Sequence, residues 1–306
     1  MKQLSGVLIS LVFLSATGFA QQAVSGDRDA EIARGSSTAR RGFRNEDEIR
    51  EKFNNWRVDA EAQAWLVIMN YSLEDVVAVK AEKPHGKKAD VEVRVTTNEG
   101  EKTEGISIKL VSNPDGFNQI DKRWLAAYAK MWSMPEAVHE SLKLFCGETP
   151  PIKASRDDRR MFLDELHASR QGKIVSFFAA NRERIVSDLF IGDGDHAANW
   201  MLVTLKTSSD SASQDSRKST TIRTGKDPDL QDSSANPGSW VLVPAKEAIR
   251  FFGEGPVEIT RAGNLRIGRI TMQRKGGDNG RPSASMLQFK INPIELFNVD
   301  EGLANP

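Results

Sequence analysis

The spacing of apolar side chains predicts two helices near the start of the ordered sequence. Ile49, Phe53 and Trp56 recur at the three- to four-residue interval that lines one face of a helix. Asn45 comes before them and is followed by three acidic residues, which suits a capped first turn. A second helical stretch follows over residues 61–70.

Three strands are predicted after these helices. Residues 76–79 are uniformly apolar, whereas residues 90–96 and 105–111 alternate between apolar and polar side chains. Such alternation is typical of strands with one buried face. Turn-forming residues at 85–86 and 98–100 separate the three stretches.

The rest of the chain mixes both kinds of pattern. Helices are predicted over residues 124–132, 135–145, 157–167, 173–190 and 245–252, and strands over residues 200–205, 240–243, 267–273 and 286–291. The sequence contains no internal repeat. This order of elements predicts an α/β protein with a mixed central β-sheet flanked by helices.

Two segments contain almost no large apolar residues. Residues 21–41 are rich in Ser, Arg, Asp and Gly, and residues 207–239 consist mainly of Ser, Asp, Thr and Lys. Such segments bury too little surface to offset their loss of conformational entropy on folding. We therefore predict a disordered lead-in, followed by a single domain over residues 42–300 that contains a disordered insertion at about 207–239.

The first 20 residues resemble a secretory signal peptide. Lys2 precedes an apolar run from Val7 to Phe19, and a small-x-small pattern ends at Ala20. The run is too short to span a bilayer. The alternative is a start codon assigned too far upstream, in which case the segment is never made.

Charge and cysteine content exclude some kinds of protein and favour others. The 306 residues carry 42 basic and 42 acidic side chains, which argues against a polybasic coating protein. Six of the basic side chains lie between Arg261 and Arg281 against one acid, a local excess that suits a specific DNA-binding protein. The single cysteine, Cys146, excludes an internal disulfide, and the four histidines have no metal-ligand spacing.

Asp90, Ser107 and Lys109 form the candidate catalytic group. Asp90 opens one alternating strand, and Ser107 and Lys109 lie two apart on the next, so their side chains share a face. Hydrolysis of a phosphodiester needs a divalent cation, an activated water and a positive charge near the phosphate. Taken alone, the pattern also suits a hairpin with exposed polar residues.

Several blocks resemble one family in the same order along residues 30–300. These blocks are residues 42–46 (GFRNE), 61–67 (EAQAWLV), 109–122 (KLVSNPDGFNQIDK), 147–151 (GETPP), 273–281 (QRKGGDNGR) and 286–290 (MLQFK). The chain resembles type II restriction endonucleases of the HinP1I kind, in the PD-(D/E)xK nuclease superfamily. The resemblance implies a restriction-endonuclease-like fold, Mg²⁺ as cofactor, and cleavage of double-stranded DNA after the first G of the palindrome GCGC.

The resemblance also implies roles for the catalytic group. Asp90 is expected to bind the metal ion, and Lys109 to assist the attacking water and the charged phosphate. This chain has Ser107 where the family carries Gln, and a hydroxyl is a shorter and weaker ligand for a hard cation. Glu46 is a further candidate metal ligand, with charge complementarity to the first helical turn as the alternative.

Two segments are expected to contact DNA. Reading GCGC in the major groove requires donors to guanine O6 and N7 and acceptors for cytosine N4. The candidates in the C-terminal segment are Gln273, Arg274, Lys275 and Arg281 as donors and Asp278 and Asn279 as acceptors. Near the active strand, Phe117 is a candidate wedge between base steps or a core residue, with Asn118, Gln119 and Lys122 as neighbouring contacts.

Two rival functions and two locations stay open. The departure at Ser107 allows a cleavage-deficient, sequence-specific DNA-binding protein, and the leader allows an exported, non-specific nuclease. A restriction enzyme meets incoming DNA in the cytoplasm beside a cognate DNA methyltransferase, which favours a misassigned start over export after Ala20. No membrane partner is expected, and the sequence leaves the oligomeric state open.

Overall fold

Helices and strands alternate along the part of the chain that the computed structural model describes: residues 40–113, 115–192, 196–205, 220–221, 236–276 and 281–298. The helices are α1 (residues 40–54), α2 (Ala60–Ile68), α3 (Leu125–Met131), α4 (Glu136–Cys146), α5 (Ala168–Ala180), α6 (Arg182–Phe190) and α7 (Ala245–Gly253). The strands are β1 (Val76–Glu82), β2 (Val91–Thr97), β3 (Gly100–Val111), β4 (Asn118–Arg123), β5 (Trp200–Leu205), β6 (Thr220–Thr221), β7 (Asn236–Pro244), β8 (Val257–Ile259), β9 (Leu265–Ile267), β10 (Ile270–Arg274) and β11 (Leu287–Ile291).

The central sheet is mixed and has the strand order β1-β2-β3-β5-β7-β6. Strand β3 pairs antiparallel with β2 and parallel with β5, so it lies in the interior of the sheet. The apolar positions of β2, Val91, Val93 and Val95, are fully buried, as the alternation predicts. The prediction of an α/β fold with a mixed central sheet is confirmed.

Both faces of the central sheet are covered. On β5, Trp200 and Leu202 pack with α1 and α2, whereas Met201 and Val203 face the opposite way into the larger core. That core is formed with helices α3 to α7. A strand buried on both faces has no polar alternation, which explains the continuous apolar run of β5.

A second sheet was not predicted from the sequence. It is antiparallel throughout, with the order β4-β11-β10-β9-β8. Its inner face contributes Met272, Leu287 and Phe289 to the larger core. The polar residues that alternate with them lie on the other face.

Several elements differ from the sequence-based expectation. The predicted 105–111 strand begins earlier, at Gly100, and the predicted 267–273 strand is divided into β9 and β10. Asn45 is no helix cap, because α1 already includes residue 40; its amide is buried and donates to Thr204 Oγ1 at 2.9 Å. Asn181 divides the predicted 173–190 helix into α5 and α6, and its side chain donates to the Phe177 carbonyl at the end of α5. The predicted helix over residues 157–167 is wrong.

The segment 155–165 is a braced loop instead of a helix. The Glu165 carboxylate accepts hydrogen bonds from Ser155 Oγ at 2.6 Å and from the backbone N–H groups of Arg156 and Phe162, each at 2.8 Å. Side-chain bonds to local backbone groups compete with the helical hydrogen-bond ladder. A single short 3₁₀ turn, Leu163–Glu165, closes the loop.

The expected leader (1–20) and most of the lead-in (21–41) lie outside the described residues. So does most of the 207–239 insertion, where Thr220–Thr221 is described as strand β6 and pairs with β7. The described residues from Arg41 onwards form one compact unit. No helix among the described residues is both long and apolar enough to cross a membrane.

Candidate active site

Asp90 lies immediately before β2 and is anchored to β3. Its backbone N–H donates to the Ile106 carbonyl at 2.8 Å. Its carboxylate Oδ2 accepts hydrogen bonds from the Ile108 N–H at 2.6 Å and from Ser107 Oγ at 3.3 Å. These bonds fix the carboxylate against the middle of β3.

Lys109 places an ammonium among three oxygen atoms. Its Nζ lies 3.0 Å from Ser107 Oγ, 3.0 Å from the Ile108 carbonyl oxygen and 3.6 Å from Asp90 Oδ2. The lysine side chain is 12% exposed and the aspartate 29%. The structure thus brings together the three residues that the strand pattern singled out.

Glu46 lies on α1 beside this group. Its Oε2 is 3.0 Å from Lys83 Nζ. Burial raises the pKa of Glu46; the hydrogen bond from Lys83 opposes that rise and the negative charge of Asp90 adds to it. Glu46 is therefore close enough to Asp90 and Lys109 to interact with their charges.

A cleft of about 510 Å³ opens in front of the candidate catalytic group. One side carries Asp90, Ser107 and Lys109, and the other is formed by residues 119–123 of β4. The side-chain amide of Asn118 donates to the Leu110 carbonyl at 2.9 Å and so joins the start of β4 to β3. The cleft therefore lies where the two sheets meet.

Lys88 lines the cleft and was missed in the sequence. Its ammonium donates to the carbonyls of Ile120, at 2.7 Å, and Leu189, and pairs with Asp121 at 3.4 Å. Burial lowers the pKa of Lys88 to about 8, against the attraction of Asp121. A lysine two residues before Asp90 was the available signal, but its burial depends on β4 and α6, which are distant in sequence.

Asp121 also lines the cleft. Burial opposes its ionisation, but the charges and hydrogen bonds of Lys88, Arg123 and Tyr128 hold the pKa of its carboxyl below the usual value. The Tyr128 hydroxyl donates to Asp121 at 2.7 Å. An ionised Asp121 therefore ties β4 to α3 and to the segment that carries Asp90.

The predicted DNA contacts near the active strand are divided between surface and interior. Phe117 is 55% exposed, which excludes the core alternative. Gln119 and Lys122 line the cleft. Asn118 is partly buried and its amide is occupied by the Leu110 carbonyl.

The C-terminal candidates are also divided. Gln273 and Arg274 alternate on β10, so their side chains point to opposite faces of the second sheet. Arg274 points to the core side, where it is 9% exposed and 4.0 Å from Asp157. Lys275 and Arg281 lie on either side of a segment whose Asp278 and Asn279 are outside the described residues.

The oxygen atoms around Lys109 suit a hard divalent cation. A carboxylate, a hydroxyl and a backbone carbonyl are ligands of the kind that Mg²⁺ prefers, and no sulfur or imidazole is among them. Among the residues that the structure describes, no three His, Cys, Asp or Glu side chains form a metal-binding group. A cation at this position would therefore depend on Asp90, neutral oxygens and water, with Glu46 as a further carboxylate nearby.

The chain is similar to known restriction endonucleases in sequence and in fold. The family model "R.HinP1I restriction endonuclease" matches residues 69–215 and 230–297. The solved structure of the restriction endonuclease MspI in complex with its cognate DNA has a TM-score of 0.54 and 11% sequence identity, covering 90% of this chain and 100% of that chain. No curated protein matches. Because the family model covers well over half of the sequence, the chain belongs to the R.HinP1I restriction endonuclease family, whose members are DNA-cleaving type II enzymes.

Proposed function

We propose that this protein is a type II deoxyribonuclease that uses Mg²⁺ to hydrolyse double-stranded DNA within GCGC, after the first G. The observation that carries this proposal is the convergence of Asp90, Ser107 and Lys109 in an open cleft between two sheets. The family supplies the DNA-cleaving activity. The choice of GCGC rests on the recognition segment 273–281 and its resemblance to enzymes with that specificity.

The residues of the cleft divide the chemistry between them. Asp90, Ser107 Oγ and the Ile108 carbonyl would hold Mg²⁺, with Glu46 as an additional ligand. A bound Mg²⁺ would polarise the phosphate and lower the pKa of a water molecule. The hydrogen bond from the Ile108 N–H holds the Asp90 carboxylate against β3.

Lys109 would stabilise the charge that develops on the phosphate. Its ammonium is largely shielded from solvent, and electrostatic stabilisation is stronger where water is excluded. Its contact with Ser107 Oγ orients the side chain along the face of β3 that opens into the cleft. The same ammonium is within reach of the oxygens proposed to bind Mg²⁺, so lysine and cation would act on one phosphate.

Recognition would come from two surfaces beside the cleft. Gln273, Lys275 and Arg281 supply donors for guanine, and Asp278 and Asn279 supply acceptors for cytosine N4. The side chain of Arg274 points to the core and would instead support this segment from below.

Phe117 would act as a wedge between base steps. It is exposed on the turn that precedes β4, next to the cleft residue Gln119. Apolar side chains inserted between base pairs unstack them and bend the duplex. Gln119 and Lys122 would contact the opened step, while Asn118 keeps β4 attached to β3.

A plasmid digest tests the proposal. The wild-type protein with Mg²⁺ should convert a GCGC-bearing plasmid into discrete fragments, and EDTA should abolish them. Asp90→Ala should reduce cleavage at least about a hundredfold, because the anchored carboxylate ligand is lost. Glu99→Ala is the matched control, since it removes an exposed carboxylate from the turn at the far end of the same two strands.

The digest also separates the two alternatives. Specific binding without fragments would favour a cleavage-deficient DNA-binding protein, which the neutral Ser107 ligand motivates. A smear that is independent of sequence would favour an exported, non-specific nuclease, which the leader motivates. A fragment ladder that matches the GCGC map excludes both.

We further propose a cytoplasmic protein that works beside a cognate DNA methyltransferase. Cleavage of host GCGC sites would be lethal without their methylation, whereas export would separate the enzyme from incoming DNA. Sequencing the N-terminus of the native protein tests the location. A native N-terminus at Gln21, produced by cleavage after Ala20 during export, would contradict the cytoplasmic location.

A further inference from the structure

The outer face of the second sheet is polar across its three strands next to the cleft. Strands β4, β11 and β10 are adjacent, and residues in direct register point to the same face. One row of this face contains Lys122, Gln288 and Gln273, and the other contains Gln119, Lys290 and Thr271. We call these six residues the polar stripe.

The polar stripe carries positive charge without a carboxylate. Its two lysines have no acidic register partner on β4, β11 or β10. The next strand contributes Arg266, which is paired with Glu258 of β8. An anion that approaches these six residues therefore meets two lysines and no carboxylate.

Lys290 is the unusual member of the stripe. Its side chain is half-buried, and it makes no hydrogen bond or ion pair with any residue that the structure describes. Burial lowers the pKa of its ammonium, and no charged neighbour contributes to that shift. Partly burying an unpaired charge is costly, so such a lysine is expected to have an anionic partner that is not part of the chain.

Gln288, beside Lys290 on β11, fixes the entrance to the recognition segment. It is 5% exposed, and its amide Nε2 points at the carbonyls of Arg274 and Lys275, each at 3.4 Å. These carbonyls lie at the end of β10, where segment 273–281 leaves the sheet. Gln288 is thus a positioning residue, while Lys290 is left free to bind.

The dimensions of the stripe suit DNA. Neighbouring strands are about 4.8 Å apart, so the row from Gln119 through Lys290 to Thr271 spans about 10 Å. The major groove of B-DNA is about 12 Å wide. At one end of this row lies the cleft, which Gln119 lines, and at the other lies β10, which leads into the recognition segment.

We propose that Lys290 binds a backbone phosphate of the DNA between the cleavage cleft and the recognition segment. The inference rests on the proposed function in that the duplex lies across both surfaces. A phosphate contact positions the duplex without reading sequence. Lys290 would therefore set the register of the DNA relative to Lys109.

Salt dependence of binding tests this assignment. Affinity for a 20-base-pair duplex with one GCGC site is measured in EDTA, which prevents cleavage, from about 50 to about 200 mM salt. Lys290→Gln should reduce the slope of log affinity against log salt by about 1. Lys246→Gln removes an exposed lysine from α7 and should leave the slope unchanged.

One further variant and a second duplex make the result specific. Lys290→Arg should restore the slope, since a guanidinium also binds phosphate. Lys290→Gln should weaken binding to GCGC and to a scrambled duplex by the same factor. A wild-type slope in a folded Lys290→Gln protein, or a loss confined to the GCGC duplex, would overturn the phosphate assignment.

Failure of the inference and of the proposed function can be distinguished. If the wild-type protein binds duplex DNA but makes no fragments with Mg²⁺, cleavage fails while the slope still decides the role of Lys290. If the protein cleaves at GCGC and Lys290→Gln keeps the wild-type slope, only the inference fails. If the wild-type protein binds no duplex DNA, both fail.

Discussion

Ser107 is the residue at which the candidate metal site differs from that of the resembling family, which carries Gln. Its hydroxyl is buried and contacts both Lys109 Nζ, at 3.0 Å, and Asp90 Oδ2, at 3.3 Å. A neutral hydroxyl is a poorer ligand for a hard cation than a carboxylate or amide oxygen. In the proposed mechanism, the affinity for Mg²⁺ would therefore be limited by this position.

Ser107→Gln is expected to lower the Mg²⁺ concentration at half-maximal cleavage, on the order of tenfold, because the amide oxygen reaches further. This concentration is measured from the rate of plasmid cleavage as a function of Mg²⁺ concentration. Ser107→Ala is the paired control: it removes the oxygen, and the Mg²⁺ requirement should rise. An unchanged Mg²⁺ requirement in both variants would show that residue 107 is no metal ligand.

At the scale of single residues, the sequence predicted side chains that lie close in sequence and on one strand face. Ser107 and Lys109 are two apart on β3, so their convergence follows from strand geometry alone. Lys88 and Lys290 were missed, because their meaning depends on what surrounds them. Burial of Lys88 requires β4 and α6, and the unpaired state of Lys290 depends on long-range strand register.

At the scale of elements, the braced loop over residues 155–165 shows how one carboxylate replaces a helix. Glu165 accepts from Ser155, from the backbone of Arg156 and from that of Phe162. Partial burial favours its neutral form, but these hydrogen bonds prevail and lower the pKa of Glu165 to about 2. The ionised carboxylate is thus the form that holds the loop.

Glu165→Gln is expected to destabilise the protein at neutral pH by on the order of 1 kcal/mol, a value reduced for solvent screening. A lowered folded-state pKa gives stability that is present above the unfolded value of 4.5 and lost as pH falls towards about 2. Denaturant unfolding between neutral and acidic pH measures this difference. Asp158→Asn, on the same loop and 94% exposed, is the control and should show no such trend.

Prediction at the element scale succeeded where hydrophobic periodicity is long and failed where pairing is short and non-local. Strands β2, β3 and β5 and helices α2, α4 and α7 follow from their patterns. The second sheet was missed because β8 and β9 have three residues each, too few to show a period. β4 was not predicted as a strand, since its sequence NQIDKR has a single apolar residue.

At the scale of the whole molecule, the fold class could be predicted from the order of elements, and the family from ordered blocks of sequence. The family match over 69–215 and 230–297 does not include residues 216–229, which lie within the predicted insertion. Specificity for GCGC is not contained in the fold. In the proposed function it would depend on a few side chains in segment 273–281, which only the resemblance identifies.

The insertion between β5 and β7 is expected to be dispensable. Thr204 and Trp240 are register partners on adjacent antiparallel strands, so a short hairpin can join them. Replacing residues 208–235 with a Gly-Asn turn also removes the two-residue edge strand β6. The variant should keep cleavage and gain about 1 kcal/mol of stability, since loop-closure entropy grows with length. Denaturant unfolding measures the change in stability, and the plasmid digest measures cleavage. Lost cleavage in a stably folded variant would show that the segment takes part in the reaction.

The strand β4 joins the two surfaces that we propose act on DNA. At one end, Asn118 holds the Leu110 carbonyl of the catalytic strand, and at the other, Arg123 is in register with Leu287 and, one strand further, Arg274. A mismatched base pair that displaces the recognition segment would also displace β4 and thereby change the geometry of the cleft. We therefore expect fidelity to be expressed in kcat as well as in affinity, so that near-cognate sites are bound but turned over slowly.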